Sequence, residues 1–157
     1  WRVNENEEER VMPNYSIVAT GSTGTNTGIA QLKSTVDQAR IGIYDVVVGS
    51  AATPADQATN FVIARFTSAG TGAALTTGLL DQFSVTATAT GRAMLTTEPE
   101  TLTSLMIIPL NQRASFRWVA SPGGELTSRG SPNTGLELRS QTATAAYLAA
   151  ATILWME

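Results

Sequence analysis

The sequence predicts an all-β fold: an antiparallel β-sandwich of jelly-roll-like character, in a single domain preceded by a short N-terminal arm. Three observations carry that expectation. Short runs rich in β-branched and aromatic residues recur between turn signals at spacings of roughly 8–12 residues, the pattern of sandwiches and jelly rolls. Two of those runs, Ala114–Ala120 (ASFRWVA) and Leu136–Ser140 (LELRS), alternate apolar and polar residues with period two. No window joins a capping box to an apolar stripe at helical spacing, and Thr53–Ala58 could hold one helical turn at most. At 157 residues the chain is one domain long and large enough to bury a core.

Along the chain, Asn14–Thr20 reads as a first strand, and the Gly/Ser/Thr segment Gly21–Gly28 as a loop that no helix would tolerate. Ile29–Val36 is an irregular strand. Arg40–Gly49 (RIGIYDVVVG) is long and β-branched enough to span a sheet. Ser50–Asn60 is a loop with a turn at Thr53-Pro54-Ala55-Asp56, where proline fixes the φ of the second turn position. Phe61–Thr67 is a strand, Ser68–Gly72 a turn, Ala73–Thr77 a short strand, and Leu79–Ala89 is ambiguous.

Met94–Glu100 leads past Pro99 into the apolar strand Leu102–Leu110. Asn111-Gln112 turns the chain into Ala114–Ala120, where Phe116 and Trp118 share one face. Ser121-Pro122-Gly123-Gly124 is a strong turn signal. The last run, Thr144–Met156, is apolar on both faces and reads as a central buried strand. Its alanines would allow a helix by propensity alone, but Thr152, Ile153 and Trp155 favour a strand and no helix cap precedes it.

Composition excludes whole classes of chemistry. With no Cys there is no disulfide framework, thiol nucleophile or Cys-based zinc site, and with no His there is no Ser-His-Asp triad and no imidazole base. Charged residues make up 15% of the chain, well under the ~25% of an average domain. The formal charge of −3 splits into −2 on residues 1–11 and −1 on the rest. A near-neutral body argues against a nucleic-acid partner, which needs a basic face. No apolar stretch is long enough for a membrane-spanning helix. Nine of the ten bases are Arg, a residue suited to bidentate and interfacial ion pairs. The first eleven residues, WRVNENEEERV, differ in character from the rest of the chain, and Met12-Pro13 is a natural start. Residues 1–11 are therefore read as an acidic arm or an upstream extension of the reading frame, and 12–157 as the sandwich.

Candidate chemical groups are few. Glu98 and Glu100 would face the same side of a strand, but neighbouring carboxylates in a Pro-containing loop are more often solvated than catalytic. Asp45, a charge within an apolar strand, requires a partner, and Arg65 and Arg117 are the choices. Calcium is the one metal this oxygen-ligand composition allows, yet no EF-hand-like spacing exists, so no cofactor or metal is expected. The Gly-rich segments Gly21–Gly28 and Gly70–Gly72 lack the Lys of a phosphate loop and read as turns. Trp118 and Tyr44 read as sandwich aromatics ahead of a sugar-site floor. No enzymatic activity is expected.

The segments IGIYDVVVGSAATPADQATNFVIARFTSAGTG and IPLNQRASFRWVASPGGEL, with a closing apolar strand ending in Trp155-Met156-Glu157, resemble the small head decoration, or cement, proteins of tailed bacteriophages. The start MPNYSI fits the same pattern, and the likeness covers Met12 to Glu157. It implies a β-sandwich virion protein on the outer capsid surface, typically a homotrimer at threefold or quasi-threefold positions, clamping major capsid protein subunits against the pressure of packaged DNA. The segment before Met12 departs from that pattern. Contacts are expected in the Ser50–Asn60 loop, the Ser121–Gly124 turn and the segment before Met12, with Pro54, Asp56, Arg117, Pro122, Gly123 and Glu125 as the named residues. The alternative is a jelly-roll domain of a head fibre or tail component that binds host-surface glycans.

Overall fold

The computed structural model of the chain describes residues 13–100, 102–143 and 146–157, so the expectations for residues 1–11 and for a final strand starting at Thr144 fall outside or at the edge of the described residues. Twelve strands succeed one another: β1 (Asn14–Ser22), β2 (Thr27–Lys33), β3 (Gly42–Ala52), β4 (Ala58–Phe66), β5 (Thr71–Leu75), β6 (Gly78–Leu79), β7 (Thr90–Thr97), β8 (Thr103–Asn111), β9 (Phe116–Val119), β10 (Leu126–Thr127), β11 (Gly135–Ala143) and β12 (Leu148–Met156). They form two six-stranded antiparallel sheets packed as a sandwich. The first runs β10-β3-β12-β1-β6, with β9 also on β3; the second runs β5-β7-β2-β11-β4-β8.

The order has a simple logic. The series β1-β12-β3, flanked by β9 and β10 end to end along one edge of β3, faces the series β2-β11-β4-β8. Strands β1 to β4 alternate between these two layers, β8 then stays beside β4, β9 and β10 both lie on the first sheet, and β11 and β12 alternate again. Strands β5, β6 and β7 are an insertion between β4 and β8. They extend the sandwich on its far side, with β7 on β2, β5 on β7, and β6 on β1.

Alternation decides which side chains are buried. On β1, Tyr15, Ile17, Ala19 and Gly21 point inward; on β12 it is Trp155, Ile153, Ala151 and Ala149, each directly opposite its β1 counterpart. The inward side chains therefore shrink along the pair, from Tyr15–Trp155 to Gly21–Ala149. Where they are smallest, the second sheet comes close: a Cβ on Gly21 would lie 3.5 Å from the Ile29 Cα. The Ala-rich C-terminal run is thus a strand, its alanines fitting a narrow gap between layers. From the second sheet Ile29, Leu32, Phe61, Ile63, Ile108, Leu136 and Leu138 complete the core.

The structure moves several boundaries. The Gly21–Gly28 segment is half strand: β1 runs on through Ser22 and β2 begins at Thr27, leaving Thr23–Asn26 as the connection. Likewise the Ser50–Asn60 loop shortens to 53–57, because β3 continues through Ala52 and β4 starts at Ala58. β12 is central, but only one of its faces is buried; the other is half-exposed. Edge strand β8 carries Pro109, whose missing N–H suits an unpaired edge.

Candidate interaction surface

Asp45 shows how the sheet builds a surface feature. A bulge in the β3–β12 pairing sets Asp45 opposite Leu154, and β9 sets it opposite Val119. Its side chain is 7% exposed, yet it lies toward the outer side of the first sheet, where Arg117 reaches it from the next rung. The guanidinium donates from Nε to Oδ1 at 3.1 Å and from Nη2 to Oδ2 at 2.6 Å, a bidentate pair. Those hydrogen bonds and the carboxylate charge raise the Arg117 pKa further above neutrality. Arg65, the other sequence-level choice, instead donates from Nε and Nη2 to the Thr127 carbonyl oxygen. Arg117 itself is 65% exposed, so the pair offers a fixed cation to solvent above an almost buried anion.

That asymmetry makes a prediction. Arg117→Ala strands a carboxylate that cannot rehydrate well, so its melting temperature should fall by several degrees. The double replacement Asp45→Ala/Arg117→Ala should recover part of the loss. Thermal unfolding by circular dichroism reads both; a double variant less stable than the sum of the singles contradicts the pairing.

Around this pair the outer side of the first sheet is apolar and open. Val18, Thr152, Val47 and Arg117 form one cross-strand row, and Ser16, Leu154, Asp45 and Val119 another. Val18 is 64%, Val119 56%, Leu148 39% and Val47 36% exposed. A shallow groove of about 220 Å³ lies on the other side of the first row, lined by Val18, Val47, Gly49, Ser115, Ala150 and Thr152.

The remaining residues named from the sequence fall into two groups at opposite ends of β3, roughly 30 Å apart for a strand of this length. At one end Pro54 and Asp56 are exposed. The loop is braced from below: Ala55 N–H donates to Gln112 Oε1 at 3.0 Å, and Asn111 Nδ2 donates to Asp56 Oδ1 at 2.7 Å. At the other end Ser121–Gly124 forms a tight turn closed by Gly124 N–H to Ser121 O at 2.7 Å. Pro122 occupies its second position and Gly123, at φ 78°, its third, which is the residue preference of a type II turn. Glu125 Oε1 accepts from Gly123 N–H at 3.1 Å. Gly123 and Glu125 border an open cleft of about 580 Å³ with Arg40, Gly42, Thr127 and Met156. Arg117 lies between the two groups. The six residues thus trace one side of the sandwich, end to end, and do not converge on a single pocket.

One feature of the surface escapes sequence reasoning. Of the ambiguous Leu79–Ala89 stretch, Leu79 closes β6 and the rest is a loop that holds Phe83 at 87%, Val85 at 70% and Leu80 at 51% exposure. It is pinned at several points. Asp81 Oδ1 accepts from Phe83 N–H, Tyr15 donates its hydroxyl to Val85 O at 3.0 Å, and the Glu157 carboxylate accepts from the Thr88 and Ala89 amides. A fixed loop presenting a bare phenyl ring is a feature of contact surfaces. The only sequence signal is an apolar run of neither helical nor strand period around Asp81, a turn-forming residue.

The carboxylates are arranged differently from the Glu98–Glu100 pairing considered in the sequence. Glu100 is exposed, and its backbone bridges to Ser68. Glu98 accepts the Gly28 N–H with both oxygens at 3.0 Å and faces Glu137 instead. Glu137 is fully buried, out of reach of a substrate. Trp118 is half-buried and packs with Phe116 against the core, as its alternation implies. Among the described residues no group of three or more acidic side chains is placed to hold a metal ion. No protein-family model, curated protein or solved structure matches this chain.

Proposed function

We propose that this chain is a structural virion protein that decorates and stabilises the outer surface of a tailed-phage capsid, bridging major capsid protein subunits, as a homotrimer. The observation that carries this reading is the uncovered side of the first sheet, where exposed Val18, Val47 and Val119 surround a fixed arginine on a jelly-roll-like frame. Open apolar area of this kind, punctuated by an exposed arginine, suits a protein–protein contact. The resemblance of the turn-and-strand segments to decoration proteins supports the major capsid protein as the partner. The fold alone would not, since sandwiches serve many functions. Repetition then supplies strength: identical patches around a symmetry axis bind a lattice through many individually weak contacts. No catalytic step, cofactor, nucleic acid or membrane enters this reading.

The molar ratio of this chain to the major capsid protein in purified particles tests it. A ratio near one, or a simple fraction of one, is expected for lattice-wide decoration. A few copies per particle would favour the fibre or tail component with glycan-binding function, and absence from particles would remove both. Pro54→Ala and Asp56→Ala should each lower occupancy on the shell, because both residues are exposed and neither contributes to the core. Unchanged occupancy takes that residue out of the contact.

A further inference from the structure

We infer that Glu98 and Glu137 share one proton, and that this proton latches the end of β7 onto the outer side of the second sheet. The inference is independent of the proposed function. Four observations of geometry support it. First, β7 keeps to β2 only as far as Ala93; Met94 then takes φ 47°, and the chain leaves β2. Second, the departing segment comes back over Gly28. A Cβ there would collide with Glu137 Oε1 and Leu95 Cδ1, and would lie 2.9 Å from Glu98 Oε2, so both carboxylates crowd one spot. Third, the Gly28 N–H donates to both Glu98 oxygens, which ties Glu98 to β2. Fourth, both Glu137 oxygens are buried with no hydrogen-bond donor among the described residues, and Gln31, directly across on β2, is fully buried with both amide atoms unpartnered. A proton placed between the carboxyl groups supplies the missing donor.

The charges around the pair decide whether a proton stays there. On β11 Arg139 Nη1 is 3.8 Å from Glu137 Oε2 and favours the anion. On β7 Arg92 lies across Gln31 from Glu137 and donates to the Gly70 carbonyl oxygen, and on β2 Lys33 sits two residues further along. From β4 the neighbour in register is Ala64, which brings no charge. Against Arg139 stand the burial of Glu137 and the adjacent Glu98, and together they push the Glu137 carboxyl up to about 8. The proton therefore stays on the Glu137 carboxyl at neutrality, where it can be donated to Glu98.

This proton makes stability depend on pH in one direction. Unfolded, Glu137 releases its proton near the ordinary carboxyl value; folded, it keeps it to about 8. Between those values the native state holds more protons than the unfolded chain, so stability falls as pH rises. The latch is fully present below the unfolded value and gone above the folded one, where two negative charges meet over Gly28.

Carboxyl ¹³C NMR of the protein itself, labelled at glutamate, provides the direct test. A Glu137 resonance titrating near pH 8 is expected, and a midpoint in the ordinary carboxylate range overturns the inference. Thermal unfolding from about pH 5 to about pH 9.5 gives the second reading. The unmodified protein should lose roughly 5–15 °C across that range, whereas Glu137→Gln should show a much flatter profile and exceed it at about pH 9. Amide exchange localises the effect: protection factors for Gly28 and Leu95 should drop above about pH 8 in the unmodified protein alone. Identical pH profiles for the two proteins would overturn the latch, and so would pH-independent protection at Gly28.

Discussion

Gly135→Ala is expected to destabilise the fold by about 3 kcal/mol or more, the largest loss for any one-carbon addition in the molecule. Gly135 opens β11, which has β2 on one side and β4 on the other, and it is in register with both Lys33 and Phe66. The backbone there is held from two directions and cannot step aside. A Cβ would land on the Leu32 carbonyl oxygen, with the Leu32 carbonyl carbon at 3.0 Å and Phe66 Cζ at 2.6 Å. Phe66 is fully buried, so its ring has no free space to enter. Backbone conformation is not the reason for glycine here; close approach of the neighbouring chain is. Gly21→Ala is the control, since its nearest neighbours stand at an ordinary 3.5 Å and alanine is the better strand residue. Urea denaturation of the two variants separates these cases. Equal stability for both would mean that the sheet at Gly135 yields more easily than its two-sided pairing implies.

The contrast between those glycines marks how much a sequence conveys. Gly21 falls in a Gly/Ser/Thr stretch and reads as loop, yet it is a strand residue suited to the narrow end of the core. A small residue required by a facing sheet looks the same, in one dimension, as a small residue required by a turn. Where the signal is local, reading succeeds: Pro122-Gly123 makes its turn, Phe116 and Trp118 share a face, and Asp45 needs a cation because an unpaired charge cannot be buried cheaply. Chemistry dictates the type of partner there, and only strand register chooses Arg117 over Arg65. The inserted strands β5 to β7 are harder, since β6 and β7 pair with β1 and β2, elements distant along the chain. Glu98 and Glu137 lie out of reach altogether. Their meeting depends on a left-handed residue at Met94 and on the register between β2, β7 and β11, and neither carries a compositional signature. The extended contact side shares that difficulty: Val18, Val47 and Val119 come from three strands and become neighbours only when the first sheet is assembled.

Trp155→Ala should cost about 3–5 kcal/mol, lowering the melting temperature by roughly 8–15 °C. Trp155 is fully buried on the central strand β12, directly opposite Tyr15, with ring centroids 5.5 Å apart and planes tilted by 31°. Together the two rings fill the wide end of the core, and the Tyr15 hydroxyl continues outward to pin the Phe83 loop at Val85. Truncation opens a cavity there that paired strands on both sides of β12 cannot collapse to fill. It also removes the support that orients Tyr15, so the loss should reach the loop, with faster amide exchange across residues 81–85. Trp155→Phe separates volume from polarity. The indole Nε1 has no hydrogen-bond partner among the described residues, so phenylalanine gives up packing but also removes a buried orphan donor. The two effects oppose, and the expected net loss is about 1 kcal/mol, well below that of alanine. Equilibrium unfolding in urea measures both values. If phenylalanine proves as damaging as alanine, the indole nitrogen has a partner, a bound water being the first to seek, and the wide end of the core is wetter than its apolar lining implies.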